Sequence, residues 1–181
     1  MVRFASFISQ KFKNIAGNRY EEILKSYEDF FLTEGEMVIP DVGSVLIALD
    51  RYSEEVPSEV YEAISAYPNA GFLVVYVVDE NVLRLIRSTL GDKEAQKFQE
   101  KEEQLAEERL SKVEKKLREL GISPRRGRVF GDKGEYLEEL TGKYDLLVIS
   151  KHYGSETTKT HPISPVVFRV VQGIKKPVVI Y

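Results

Sequence analysis

Short apolar runs rich in valine and isoleucine alternate with longer segments of helical period from residue 45 to residue 181. The runs are too short for amphipathic helices, and we interpret them as five strands. These predicted strands cover residues 45–49, 71–78, 126–130, 145–149 and 177–181. Because 'VLIAL', 'FLVVYVV' and 'DLLVI' are apolar almost throughout, helices are expected on both faces. The pattern predicts an α/β domain with a doubly wound parallel sheet.

Two connecting helices can be placed from their apolar spacing. Residues 53–67 place valine, tyrosine and isoleucine on one face, and Ser53 is the predicted N-cap. Residues 93–120 repeat apolar side chains at helical intervals, and Gly121 is the predicted C-terminal glycine.

The outer face of the long predicted helix is strongly charged. Glu108 precedes Lys112 by four residues, and Glu114 precedes Arg118 by four, the favourable orientation for helix ion pairs. We interpret this charge as a solvated face, with a charged docking surface as the alternative.

Composition excludes several classes of function. The chain has no cysteine, which excludes disulfides and thiolate chemistry. Its formal net charge of −3 argues against nucleic acid as a partner. No run approaches the ~18 apolar residues of a transmembrane helix, and a signal-peptide pattern is missing. The sequence therefore predicts a cytoplasmic protein.

Residues 1–44 lie outside the alternating pattern and contain two amphipathic segments that are punctuated by glycine. We predict a helical N-terminal extension over 1–44 and an α/β domain over 45–181. Three roles of the extension are open: packing on the domain or a partner subunit, docking of a partner protein, and binding to a membrane surface.

Candidate ligand-binding residues follow the first and fourth predicted strands. Ligands of open parallel sheets bind beyond the carboxyl ends of the strands, where the strand order reverses. Asp50 ends the first strand, and 'SKHYGSETTKTHPISP' follows the fourth. Glycine, hydroxyl groups and a helix N-terminus in this loop suit a phosphate, and Lys151 or Lys159 adds positive charge. The sequence indicates an anion site there.

At these residues the chain resembles the universal stress protein family, over about residues 44–181. The matching features include 'VVYVVDE', 'VFGD', 'DLLVIS' and 'KKPVVIY'. The resemblance implies an adenine nucleotide alpha hydrolase-like sheet of strand order 3-2-1-4-5, and a homodimer. In nucleotide-binding members, the aspartate after strand one and the backbone at the end of strand two hold the adenosine. These positions correspond to Asp50 and Val77.

The chain departs from the family's phosphate loop. That loop reads Gly, two residues, Gly, nine residues, then Gly followed by Ser or Thr. Here the pattern is Ser150, three residues, Gly154, nine residues, then Ser164 and Pro165. Proline supplies neither a backbone N–H nor a hydroxyl, so at least two phosphate donors are missing. Either Ser164 and Pro165 only begin a helix, or the loop is a modified anion site.

Seven residues are thus candidates for a bound nucleotide, and they lie at the ends of the first four strands and in the loop. They are Asp50, Val77, Gly131, Ser150, Lys151, Gly154 and Ser164. ATP is the implied ligand, and Mg²⁺ is expected only with bound nucleotide. Gly131 belongs to the 'VFGDKGE' turn, which is either a simple strand-to-helix connection or a contact to ribose or phosphate.

Two further chemistries are compositionally open in the same loop. A metal could bind two histidines and two carboxylates, although their spacing matches no known motif. Those four residues are His152, His161, Asp50 and Glu156. A hydroxyl nucleophile with a neighbouring histidine as base is also open, although no Gly-x-Ser-x-Gly elbow is present. Its candidates are Ser155, Thr157, Thr158 and Thr160. We expect neither a dedicated metal nor a catalytic residue.

The sequence predicts a non-catalytic regulatory or stress-response module whose adenine nucleotide pocket is altered or lost. The alternative is a nucleotide-independent homodimeric adaptor that docks a protein through residues 1–44. We expect the homodimer to form through 177–181, because the apolar run 'VVIY' would leave an exposed strand edge.

Overall fold

The structure is a computed structural model that describes residues 41–181. Its strands are β1 Ser44–Leu49, β2 Gly71–Asp79, β3 Arg125–Gly131, β4 Leu146–Ile149 and β5 Val178–Ile180. Its helices are α1 Ser58–Ser65, α2 Glu80–Leu90, α3 Asp92–Glu119, α4 Lys133–Thr141 and α5 Pro165–Gly173. Most of the predicted N-terminal extension lies outside the described residues, so the proposed boundary after residue 44 stays a prediction.

The strands form one parallel sheet of order β3-β2-β1-β4-β5, which confirms the predicted fold class. In the register, Leu46 of β1 lies between Leu73 of β2 and Leu147 of β4. The chain order reverses between β1 and β4, so their carboxyl ends open the crevice in which this class of sheet binds ligands.

Both faces of the sheet are buried, as the continuous apolar runs predict. Alternate residues of β1 enter two separate core clusters, with Ile47 in one and Ala48 in the other. The first cluster includes residues of α1 and α3, and the second includes residues of α4 and α5. Helices therefore cover the sheet on both sides. Among residues 41–181, none of the helices combines the length and apolarity that a membrane span requires.

The predicted limits of the long helix and its charged outer face are confirmed. Gly121 follows α3 with a φ of 79°, the left-handed conformation that favours glycine after a helix. The ammonium of Lys112 lies 2.7 Å from the Glu108 carboxylate, and the Arg118 guanidinium lies 2.7 Å from Glu114. The ion pairs thus form on the exposed face.

The predicted start of the first helix is wrong. The helix α1 begins at Ser58 and its N-cap is Pro57, which makes no side-chain capping bond. Ser53 does not cap a helix, because its hydroxyl donates to the carboxylate of Asp50 at 2.8 Å. The helix α2 was not predicted, because the long helix was expected to begin only at residue 93 and no helix was placed directly before it. Gly91, with a φ of 90°, divides the two.

The predicted start of the last helix is confirmed. Ser164 is the N-cap of α5, and its side-chain oxygen accepts a hydrogen bond from the N–H of Val167 at 3.1 Å. Pro165 is the first helical residue, where its missing N–H has no cost. These two residues therefore begin a helix.

Candidate functional site

The candidate site lies at the carboxyl ends of β1 and β4. Asp50 directly follows β1, and Ser150 begins the loop that connects β4 to α5. Within this loop the N–H of Gly154 donates to Asp50 Oδ2 at 2.8 Å. The structure thus joins two of the sequence-predicted site residues directly, at the point where the sheet changes direction.

The carboxylate of Asp50 is fully buried and already hydrogen-bonded on both oxygens. Its Oδ1 accepts from the N–H of Tyr52 at 3.0 Å, and from the N–H and hydroxyl of Ser53 at 2.9 and 2.8 Å. Its Oδ2 accepts from Lys133 Nζ at 2.7 Å as well as from Gly154. Because an ionised carboxylate offers about four lone-pair positions, little acceptor capacity remains for a ligand.

Lys133 supplies the opposite charge, and it was not among the predicted site residues. It is the first residue of α4 and is 4% exposed, and its ammonium lies 4.8 Å from the centre of the Tyr52 ring. The contacts to Asp50 and to the aromatic face compensate part of the cost of burying the charge. A signal was present, since Lys133 follows the 'VFGD' turn at the carboxyl end of β3.

Tyr153 fills the space beneath the loop. Its ring is fully buried in the core cluster that also contains Val77 and Val167. Its hydroxyl donates to the backbone carbonyl of Lys133 at 3.4 Å. Burial, and secondly the charge of Asp50, raise the pKa of Tyr153 well above its usual value. Its neutral side chain therefore acts as part of the core.

Gly154 is required by the shape of the loop. Its φ is 91°, and an added Cβ would lie 2.5 Å from the Cβ of Val166. A side chain at this position meets both backbone strain and a steric clash. Gly154 thus allows the loop to pass close to α5 and to donate its N–H to Asp50.

Three other predicted site residues are buried within the chain's own structure. Val77, Ser150 and Ser164 have no exposed surface. The hydroxyl oxygen of Ser150 accepts from the N–H of Glu54 at 3.4 Å and of His152 at 3.2 Å. The hydroxyl of Ser164 donates to the carbonyl of Tyr153 as well as capping α5.

The two remaining predicted residues lie at the edges of the site. Lys151 is partly exposed, and its ammonium lies 3.7 Å from a carboxylate oxygen of Glu54. Gly131 is at the end of β3, two strands from β1. The next residue, Asp132, caps α4 by accepting from the N–H groups of Gly134 and Glu135 at 2.9 and 3.0 Å. The 'VFGDKGE' turn is therefore a strand-to-helix connection.

A second polar cluster lies beside the first. His152 Nε2 is 3.0 Å from Glu54 Oε1, and His152 Nδ1 is 2.8 Å from the hydroxyl of Thr157. The other histidine of the loop, His161, contacts Thr160 at 3.1 Å. Within residues 41–181, no three histidine or carboxylate side chains converge as a metal site would require.

Comparison with known proteins supports the fold. No protein-family model matches the sequence, and no curated protein matches it. The hypothetical protein MJ0577 superposes with a TM-score of 0.60 at 17% identity, covering 78% of this chain and 96% of that chain. The universal stress protein UspA from Lactobacillus plantarum superposes with a TM-score of 0.61 at 14% identity, covering 78% and 99%.

The described domain has the universal stress protein fold. The likeness includes the parallel order 3-2-1-4-5 and the helices on both faces. At identities this low the likeness establishes the universal stress protein fold alone, and function has to be argued from the site.

Lys133→Ala should strongly destabilise the domain, because it leaves the buried Asp50 carboxylate without its cation. We expect the free energy of unfolding to fall by about 3–5 kcal/mol, measured by urea denaturation. Lys143→Ala is the matched control, since it removes an exposed pair with Glu139 worth less than about 1 kcal/mol. Equal losses in the two variants would contradict the importance of the buried pair.

Gly154→Ala should cost more stability than Gly91→Ala. Both glycines have a φ near 90°, but an added Cβ at Gly91 has no atom within 4 Å, whereas at Gly154 it meets Val166. Both variants place a side chain at positive φ, and we expect the clash to cost Gly154→Ala about 1–3 kcal/mol more. Urea denaturation measures both variants. If they are equally stable, the loop does not pass α5 as closely as described.

Proposed function

We propose that this protein is a regulatory or stress-response module of the universal stress protein fold that works without bound ATP. The observation that carries the proposal is the buried contact between Lys133 and Asp50. In this account the Lys133 ammonium binds the Asp50 carboxylate, which would otherwise bind the adenosine part of a nucleotide.

The hydrogen bonds of Asp50 support this proposal first. A ribose hydroxyl that donates to Asp50 has to displace Lys133 or the N–H of Gly154. The contact with Lys133 is charge-assisted at 2.7 Å and buried, and such bonds are roughly twice as strong as bonds between neutral groups. Exchanging it for a neutral hydroxyl also leaves a buried ammonium without its partner, which is unfavourable.

The burial of the loop supports the proposal next. For a ligand to contact Ser150 or Ser164, the loop must move, because these two residues have no exposed surface. Such a movement would withdraw Tyr153 from the core and break the bond from Ser164 to its carbonyl. Burying an aromatic side chain stabilises a core by several kcal/mol, so the closed loop is favoured without a ligand.

We also propose that the module self-associates through β5. Among the described strands β5 pairs with β4 alone, and Ile180 is 37% exposed. An exposed apolar edge favours pairing with a second copy. Docking of a different protein through residues 1–44 stays a prediction, since residues 1–40 lie outside the described part of the chain.

The unmodified protein should give no saturable heat on titration with millimolar ATP, with or without Mg²⁺, because Lys133 holds Asp50. Calorimetry of Lys133→Met tests the reason directly. This variant frees the carboxylate and keeps an apolar chain of similar length, so any latent affinity for ATP should appear there and not in Lys143→Met. Stoichiometric binding of ATP by the unmodified protein would contradict the proposal.

Light scattering at micromolar concentration should give about twice the chain mass of 20.7 kDa. Ile180→Lys places a charge on the β5 edge and should shift the mass toward the monomer. Leu85→Lys is the control, because Leu85 is 65% exposed on α2, which packs near β3 at the opposite edge of the sheet. A monomeric unmodified protein would rule out self-association.

A further inference from the structure

The second polar cluster places a hydroxyl, an imidazole and a carboxylate in one hydrogen-bonded chain. The Thr157 hydroxyl lies 2.8 Å from His152 Nδ1, and His152 Nε2 lies 3.0 Å from Glu54 Oε1. Thr157 and His152 are in the loop after β4, and Glu54 is in the loop after β1. A nucleophile within hydrogen-bond reach of a base, which is itself oriented by a third group, is the arrangement of hydrolytic triads on many folds.

One tautomer of His152 satisfies both contacts. With the proton on Nε2, the imidazole donates to Glu54 and its Nδ1 accepts from the Thr157 hydroxyl. This is the state in which the imidazole can take a proton from the hydroxyl. The Glu54 carboxylate then stabilises the imidazolium that results.

The Ser150 side chain connects the base to the carboxylate. The Ser150 hydroxyl oxygen accepts from the N–H groups of both Glu54 and His152, so it ties the two loops together below the chain of side chains. Lys151 contacts the second carboxylate oxygen of Glu54 at 3.7 Å. The positions of the base and the carboxylate are therefore fixed relative to each other.

A small open cavity gives access to this chain. It has a volume of about 280 Å³ and is lined by Tyr52, Glu54, His152, Glu156 and Thr157. The side chain of His152 is 20% exposed, so both a reactant and water can reach it. Two of the five lining residues are glutamates, which disfavour an anionic reactant. The volume and charge suit a small neutral acyl group.

We propose that Thr157 is a nucleophile toward small uncharged carboxylic esters, with His152 as its general base and Glu54 as a positioning residue. This activity is independent of the proposed regulatory function, and it departs from the sequence-based expectation that the chain has no catalytic residue. It rests on the distances at His152 and on the cavity beside it.

The reaction runs in two balanced steps. Thr157 Oγ1 forms a bond to the ester carbonyl carbon while its proton passes to His152 Nδ1. The bond from that carbon to the alcohol oxygen breaks, and the alcohol leaves with the proton from His152. Water then attacks the acyl-threonine by the same route, which releases the carboxylic acid and restores the hydroxyl.

The chain contains its own matched control. Thr160 Oγ1 lies 3.1 Å from His161 Nδ1 in the same loop, but within residues 41–181 no carboxylate pairs with His161. This threonine–histidine pair is also exposed. A difference in reactivity between Thr157 and Thr160 would therefore report the effect of Glu54 and the cavity rather than the presence of a threonine beside a histidine.

The test uses the full chain with p-nitrophenyl acetate. We expect a burst of p-nitrophenolate and a single acetyl adduct, located at Thr157 by peptide mass mapping. Thr157→Val and His152→Gln should lower the burst rate at least about tenfold, and Glu54→Gln should lower it with a changed pH profile. Thr157→Ser should retain it, and Thr160→Val should match the unmodified protein. Circular dichroism confirms that each variant is folded.

Two results would overturn the proposal. Acetylation spread over surface lysines, with Thr157 unmodified, would show that the hydroxyl is not activated. A rate that survives in Thr157→Val but falls in His152→Gln would show that the imidazole itself attacks the ester, with Thr157 serving only to tie down the loop.

Discussion

The buried ion pair between Lys133 and Asp50 organises the carboxyl edge of the sheet. It links the residue after β1 to the first residue of α4, which lie 83 positions apart in the sequence. The same carboxylate receives the N–H of Gly154, so it also holds the loop after β4. Removing one member of such a pair leaves an uncompensated charge in the interior. Three segments of the fold are thus joined at one carboxylate.

Because of this contact, the carboxylate at the crevice of the sheet is paired with a side chain of the same chain. A carboxylate at the crevice of a parallel sheet ordinarily faces a ligand, but here a side chain of the protein satisfies it. Tyr153 fills the core below the loop, and Ser164 binds the Tyr153 carbonyl while it caps α5. The loop therefore reaches a closed arrangement through internal contacts, and the surface around His152 is left as the accessible part of this edge.

The sequence predicted the features that local pattern determines. The continuous apolar runs gave the strands and their coverage on both faces, and Ser164 with Pro165 gave the start of α5. Partners distant in sequence were missed: Lys133 follows the 'VFGD' turn, but nothing in the sequence shows that it meets Asp50, 83 residues earlier. The start of α1 was wrong for a different reason: Ser53 is a residue type that often caps helices, but its hydroxyl donates to the nearby carboxylate of Asp50, three residues earlier. The sequence offered several hydroxyl groups as possible partners of a histidine, and only the geometry of the loop shows that Thr157 contacts His152.

The most direct test of the closed site is nuclear magnetic resonance of the lysine ammonium groups in ¹⁵N-labelled protein. The account predicts one ammonium signal protected from exchange with water, absent in Lys133→Met and unchanged when ATP and Mg²⁺ are added. Exposed lysines such as Lys143 exchange too fast to give such a signal. If the Lys133 ammonium exchanges as fast as the exposed ones, or if ATP releases it, then Asp50 is open to ligands and the central claim is wrong.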